Sequence, residues 1–234
     1  MRTELKAAFT AYGLPLGDEQ ADALAAYHEH LLVVDAEMNL TAIHDNAQAT
    51  LLHYLDSASV LRQPGLAQNA HLAEVGSGAG FPGLVLAVLR PDLKVTLMDA
   101  LQKRVRFLED LAGRLSLSNV RVVQTRAEDA GRNKFFREKF DIVTARAVAA
   151  LPVLCEYCLP LVKKGGVMIA YKGARAAEEV AQAEQAVRLL GGSAPQLIEA
   201  ALPGRSHHLI QIGKITQTPA RFPRKAGTPT RQPL

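Results

Sequence analysis

Between residues 71 and 190 short apolar runs alternate with longer amphipathic ones, and that alternation leaves few architectures open. The runs at 71–75, 94–99, 119–125, 140–145 and 166–171 are short and rich in branched apolar residues, which predicts five strands. The stretches 82–89, 101–115, 149–162 and 174–190 carry helical spacing, as in Leu101, Val105, Leu108, Leu111 and Leu115. Strands separated by helices return to the same edge and run parallel, and a parallel sheet needs helices on both faces. Two last apolar stretches, 196–202 and 207–215, are joined through Pro203-Gly204 with no helix between them. They are expected to pair as an antiparallel hairpin. The expected fold is therefore α/β, with a seven-stranded, mostly parallel sheet closed by an antiparallel terminal hairpin.

The first 65 residues read as helical. Leu24, Tyr27, His28, Leu31 and Leu32 share a helix face behind Asp18 as N-cap, a second helical run spans 46–61, and Pro64-Gly65 marks the change of pattern. The organisation expected is an N-terminal helical cap over 1–65, a core over 66–216 and a basic, Pro-rich tail over 217–234, all within one structural domain. Pro219, Pro223, Pro229 and Pro233 predict an irregular or extended tail. With 48% apolar residues in 234, the chain can bury a core without disulfides. The longest apolar run, 83–89, is too short to span a membrane, and residues 1–4 lack a signal-peptide pattern, so a cytoplasmic location is expected. Cys155-Glu156-Tyr157-Cys158 has the CxxC spacing but no second pair. With Leu151, Leu154 and Leu159 at helical intervals, both cysteines read as small buried hydrophobes. His207-His208 falls in a predicted strand, where neighbours face opposite sides, and no metal is expected.

The sharpest local signal is the run Glu74-Val75-Gly76-Ser77-Gly78-Ala79-Gly80-Phe81-Pro82-Gly83, where the first strand gives way to a helix. Glycines there let backbone lie against a ligand, and a proline suits the first turn of a helix. Asp99 ends the second strand, where a carboxylate can accept from ribose hydroxyls. An adenosine-containing ligand is expected. The run from Gly78 to Gly83 also satisfies the GxGxxG pattern of dinucleotide-binding proteins. Three features favour S-adenosylmethionine: the acid Glu74 two residues before Gly76, the acid Glu128 after the third strand, and the terminal hairpin. That hairpin is the arrangement associated with Rossmann-like class I S-adenosylmethionine-dependent methyltransferases. In such a fold Ala127 and Glu128 face the adenine edge, Asp99 the ribose, and Glu74 with Gly76 and Gly78 the methionine end. A solvated turn is the alternative for Glu128 and Asp129.

The motifs Asn39-Leu40-Thr41-Ala42-Ile43, His53-Tyr54-Leu55-Asp56-Ser57, the loop 76–83, Arg146-Ala147-Val148, Tyr171-Lys172-Gly173 and Arg224-Lys225-Ala226-Gly227-Thr228-Pro229 occur in this order. Together they resemble the ribosomal RNA small subunit methyltransferase G family, also called glucose-inhibited division protein B, over residues 39–234. The resemblance implies methylation at N7 of a guanine in 16S rRNA, position 527, with S-adenosylmethionine as cofactor. It also implies cofactor contacts at Gly76, Phe81, Ala127, Glu128 and Arg146. Glu74 departs from the family pattern, which has Asp there.

Guanine N7 carries an in-plane lone pair and no proton, so methyl transfer to it needs alignment of the reacting atoms rather than a general base. Arg146 and Lys172 end consecutive strands at the edge where open α/β sheets bind ligands, and are the candidate catalytic residues, expected to orient the base and bind phosphate. A surface ion pair is the alternative for Arg146. His53 with Asp56 reads as two polar residues near one helix face. From Ala200 onward there are six basic residues and no acidic one, leaving 21 basic against 23 acidic residues before it. Arg224 and Lys225 in that segment, with Lys163, Lys164 and Arg175, are the expected contacts to 16S rRNA within the small ribosomal subunit. An NAD-dependent oxidoreductase, a methyltransferase with another acceptor and a non-catalytic RNA-binding assembly factor are the alternative functions.

Overall fold

The computed structural model describes residues 1–63 and 66–234, so the expected break at Pro64-Gly65 lies outside the described residues. Two helices open the chain, α1 (Arg2–Ala11) and α2 (Asp18–Met38). A continuous helical segment follows, built from α3 (Asn46–Ala49), a wide π-helical stretch (Thr50–Leu55), α4 (Asp56–Ala58) and a 3-10 turn (Ser59–Arg62). Asp18 is not the N-cap of α2 as expected. Gly17 takes that position, and its N–H is met by Gln20 Oε1 at 3.0 Å, while the Asp18 carboxylate reaches Arg2 and Lys6.

The core then alternates as β1 (His71–Val75), α5 (Gly83–Leu89), β2 (Lys94–Asp99), α6 (Gln102–Arg114), β3 (Val120–Gln124) and α7 (Ala127–Arg132). It continues with β4 (Phe140–Arg146), α8 (Leu151–Cys158), β5 (Val162–Lys172), α9 (Ala176–Leu189), β6 (Gln196–Glu199) and β7 (His208–Gly213). The seven strands lie in the order β3-β2-β1-β4-β5-β7-β6. The pairs among β1 to β5 are parallel, and β7 runs antiparallel to both β5 and β6, as the missing helix at Pro203-Gly204 requires. The strand order reverses between β1 and β4, and a crevice opens there at the carboxyl edge of the sheet.

Each face of the sheet carries its own apolar layer. On one, Leu5, Phe9, Leu24, Tyr27 and Leu31 of the cap pack with Leu84, Leu97 and Leu108. On the other, Leu154, Cys155, Cys158, Ala183 and Val187 pack with Val143, Met168 and Ile210. The cysteines are free and fully buried, and burial raises both thiol pKa values, Cys155 to about 12. Among the described residues no helix is long and apolar enough to cross a membrane.

Two expectations fail locally. The helix expected over 149–162 shrinks to α8, because Glu179 Oε2 from α9 accepts from Leu151 N–H at 2.7 Å and fixes the start, while β5 begins already at Val162. The tail is docked rather than loose. Phe222 is buried, Arg137 bonds the carbonyls of Thr218 and Phe222, and a short helix, α10 (Thr228–Arg231), follows.

Candidate active site

The turn leaving β1 builds the floor of the site. Gly76 and Ser77 both donate backbone N–H bonds to Met98 carbonyl, at 2.8 and 3.0 Å, which pins the loop to the end of β2. Gly76 sits at φ +72°, and a Cβ there would lie 2.6 Å from Val148 Cγ2. Only glycine meets both demands. Asp99, buried at the end of β2, accepts from Gly78 N–H and Leu101 N–H, each at 2.9 Å, so one carboxylate orders both the loop and the start of α6.

Gly76, Met98, Asp99 and Leu101 line a cleft of about 360 Å³ together with Ala127 and Glu128 after β3, Ala147 and Val148 after β4, Tyr157 on α8, and Gly227 and Thr230 of the tail. Its size and its mix of backbone, apolar and acidic groups suit an adenosine. Gly76, Asp99, Ala127 and Glu128 are thus brought together as expected, and Gly78 is held to them through Asp99.

Glu74 and Phe81 go elsewhere. Glu74 is fully buried beneath the loop, where Oε1 accepts from Gly83 N–H at 3.1 Å and Oε2 has no partner. Burial lifts its pKa to about 8, so it holds a proton at neutral pH. The Phe81 ring lies between Tyr27, stacked at 5.0 Å, and His53, stacked at 4.5 Å, with Tyr54 edge-on at 5.5 Å. Both side chains support the loop from below instead of lining the cleft.

Arg146 ends β4 with its guanidinium 5.1 Å over the Phe81 ring. Nη1 donates to Asp56 Oδ2 and to the Leu52 carbonyl, both at 2.9 Å. The other oxygen of Asp56 meets His207 Nδ1 at 3.1 Å. A buried carboxylate from the cap therefore ties together the end of β4 and the residue before β7. Lys172, at the end of β5, donates to the Ala149 carbonyl at 2.7 Å and Glu179 Oε2 at 2.6 Å. Arg146, Lys172, Asp56, His207, His53, Tyr171 and Arg205 border a second cleft of about 480 Å³. His53 sits there with its pKa lowered to about 4, chiefly by burial and next by Arg146, so its ring is neutral. Nε2 contacts Thr41 Oγ1 at 2.8 Å, and Nδ1 has no partner.

Ala147 borders both clefts, and it holds a left-handed backbone at φ +57°. Such strain in a non-glycine residue concentrates at functional sites. The motif Arg146-Ala147-Val148 contains this residue, but its left-handed backbone has no sequence signature such as glycine. Asp56 stood out beside His53, but its partners Arg146 and His207 are 90 and 151 positions away, beyond the reach of helical spacing.

The basic residues divide. Arg224 turns inward, and its backbone N–H, Nε and Nη2 donate to the buried Glu156 at 2.7, 2.9 and 2.6 Å. Lys225, Arg205 and Arg175 stay exposed, and Arg205 borders the second cleft. Lys163 and Lys164 begin β5, at the opposite end of that strand from Lys172.

The family model described as GidB, rRNA small subunit methyltransferase G, matches residues 20–209. A protein of Lactobacillus acidophilus named "Ribosomal RNA small subunit methyltransferase G" is 45% identical over 227 residues, covering 95% of each chain. One of the same name from Alkaliphilus oremlandii is 42% identical over 232 residues, covering 98% of this chain and 97% of its own. Among solved structures, an S-adenosylmethionine-dependent methyltransferase from Aquifex aeolicus aligns with a TM-score of 0.55 at 16% identity, covering 79% of this chain and 97% of that one. YcgJ from Bacillus subtilis aligns with a TM-score of 0.56 at 14% identity, over 70% of this chain and all of that one. At such identities the structural matches speak for the fold, which is that of Rossmann-like class I methyltransferases.

Proposed function

The chain belongs to the rRNA small subunit methyltransferase G family, and from that premise we propose that it transfers the methyl group of S-adenosylmethionine to N7 of a guanine in 16S rRNA, at position 527. The observation that carries this reading is the meeting of two clefts at Ala147, one suited to an adenosine and one bordered by Arg146 and Lys172. S-adenosylmethionine supplies an electrophilic methyl group. Asp99, Ala127, Glu128 and the loop at Gly76 are the residues that would hold it, with Glu74 and Phe81 fixing that loop from beneath.

Methylation leaves positive charge on the guanine, which bare cations beside it would oppose. Of the three cations bordering the acceptor cleft, Arg146 is paired with Asp56 and Lys172 with Glu179, while Arg205 is exposed. Pairing lets the two side chains orient a base or phosphate by hydrogen bonding while leaving little net positive field. No group is required to remove a proton, and the neutral His53, held by Thr41 and stacked on Phe81, serves to position the wall of the cleft. Lys225, Arg205 and Arg175 are the exposed candidates for rRNA phosphate contacts, and the substrate is a small subunit or its precursor in the cytoplasm. Cap, core and tail work as one domain.

The test is methyl transfer from labelled S-adenosylmethionine to 16S rRNA, naked and within small subunits lacking the modification, with the modified nucleotide mapped. Incorporation at N7 of guanine 527 is expected. Cofactor binding with no incorporation on either substrate would overturn the proposed acceptor.

A further inference from the structure

The tail beyond residue 209 lies outside the span matched by the family model, yet it forms one wall of the adenosine cleft. Three ties hold it there. Arg224 is bound to Glu156, a carboxylate at 1% exposure, by two side-chain nitrogens and its own backbone N–H. Gly227 N–H donates to Glu128 Oε1 at 2.9 Å, and Tyr157 Oη lies 2.9 Å from Thr230 Oγ1. Upstream, Arg132 Nε donates to the Pro223 carbonyl at 2.8 Å, so the strap is anchored before it reaches the cleft.

We propose that residues 224–231 are a built-in part of the cofactor site, closing over the adenosine half with Gly227 and Thr230 as its contacts. The inference rests on the reading of this cleft as the S-adenosylmethionine site. Glu128 is the acid that faces an adenine edge in such a fold, and here the strap occupies only its Oε1. Oε2 makes no hydrogen bond among the described residues. A carboxylate oxygen accepts only, which matches the exocyclic amine of adenine, and the Thr230 hydroxyl can give or take a hydrogen bond beside it. The strap fixes Glu128 in place and excludes water from the bond it makes, which strengthens that bond.

The experiment measures calorimetric affinity for S-adenosylmethionine and for 5′-methylthioadenosine, which keeps the adenosine and lacks the amino-acid end. It compares the intact chain with two full-length variants. Gly227→Pro removes the donor to Glu128 and cannot adopt φ +79°, so it unseats the strap while the Arg132 and Arg137 anchors remain. Thr230→Val removes one hydroxyl at an exposed position and keeps the shape. Gly227→Pro is expected to weaken both ligands by about tenfold and Thr230→Val by about threefold, equally for the two, as loss of one to two hydrogen bonds implies. Thermal melting of the ligand-free variants checks the fold, and if Gly227→Pro melts, Thr230→Val decides. Unchanged affinity, or a loss confined to S-adenosylmethionine, overturns the strap. Failure of the intact chain to bind either ligand overturns the cofactor reading itself, and the strap with it.

Discussion

Arg146 Nη1 lies 2.9 Å from Asp56 Oδ2, a bond that joins the last residue of β4 to the N-terminal cap. It holds the guanidinium over Phe81 and away from solvent, at the border of the second cleft. The cap is thereby part of the candidate active site and not only a cover for the sheet.

Asp56→Asn keeps the shape of that clamp and removes its charge. Turnover of rRNA methylation should fall by about 10- to 100-fold, the scale on which small misplacements of an orienting group act, while S-adenosylmethionine affinity changes little. Single-turnover rates beside calorimetric binding separate the two effects. Full turnover in Asp56→Asn would remove the clamp from the chemistry.

Glu74 offers a pH signature. Its folded pKa of about 8 stands above the ordinary 4.5, so the folded chain holds a proton that the unfolded chain releases between those values. Its contribution to stability is fully present below about 4.5 and is lost as pH rises toward 8. Burial is the cause, opposed chiefly by the Gly83 amide, with Ser77 and Arg146 also pulling the pKa down and Asp99 pushing it up. Glu74→Gln should narrow the difference in melting temperature between pH 5 and pH 8, measured by calorimetry. An unaltered pH dependence would show that Glu74 ionises freely.

At Gly76 a methyl group meets both a positive φ and Val148 Cγ2 at 2.6 Å. Gly76→Ala should cost about 1–3 kcal/mol of stability and abolish measurable cofactor binding. Adding Val148→Ala removes the clash but not the backbone strain, so the double variant should recover part of the stability. Melting curves of the two variants read this directly, and an equal loss in both would assign the whole cost to φ.

The two neighbouring cations of the tail should behave differently. Lys225→Ala is expected to lower rRNA affinity and reduce the slope of log K against log salt by ~0.7–0.9, the value of one phosphate contact. Arg224→Ala leaves Glu156 buried without its partner and should instead cost about 3 kcal/mol of stability. Salt titrations and denaturant unfolding on the same pair of variants discriminate, and a changed salt slope with unchanged stability in Arg224→Ala would reverse the assignment.

The frame of the site follows from local patterns along the chain. Strand and helix periodicity are local properties, and the right-handed crossover rule converts their order into a parallel sheet with its crevice beside Gly76, Asp99 and Glu128. The same locality sets the limit of what these patterns specify. Helical spacing ran on through 149–162, but the start of α8 is set by Glu179, a residue of the next helix. Glu74 and Phe81 belong to the loop by position, and only packing against Gly83, Tyr27 and His53 turned them beneath it. Arg224 carries the same charge as Lys225, and only the buried Glu156 draws it inward. Asp56 binds Arg146 and His207 across 90 and 151 positions, and Gly227 reaches Glu128 across 99. Tertiary structure decided these pairings because burial selects partners for polar groups by proximity in space, and no local period encodes that proximity.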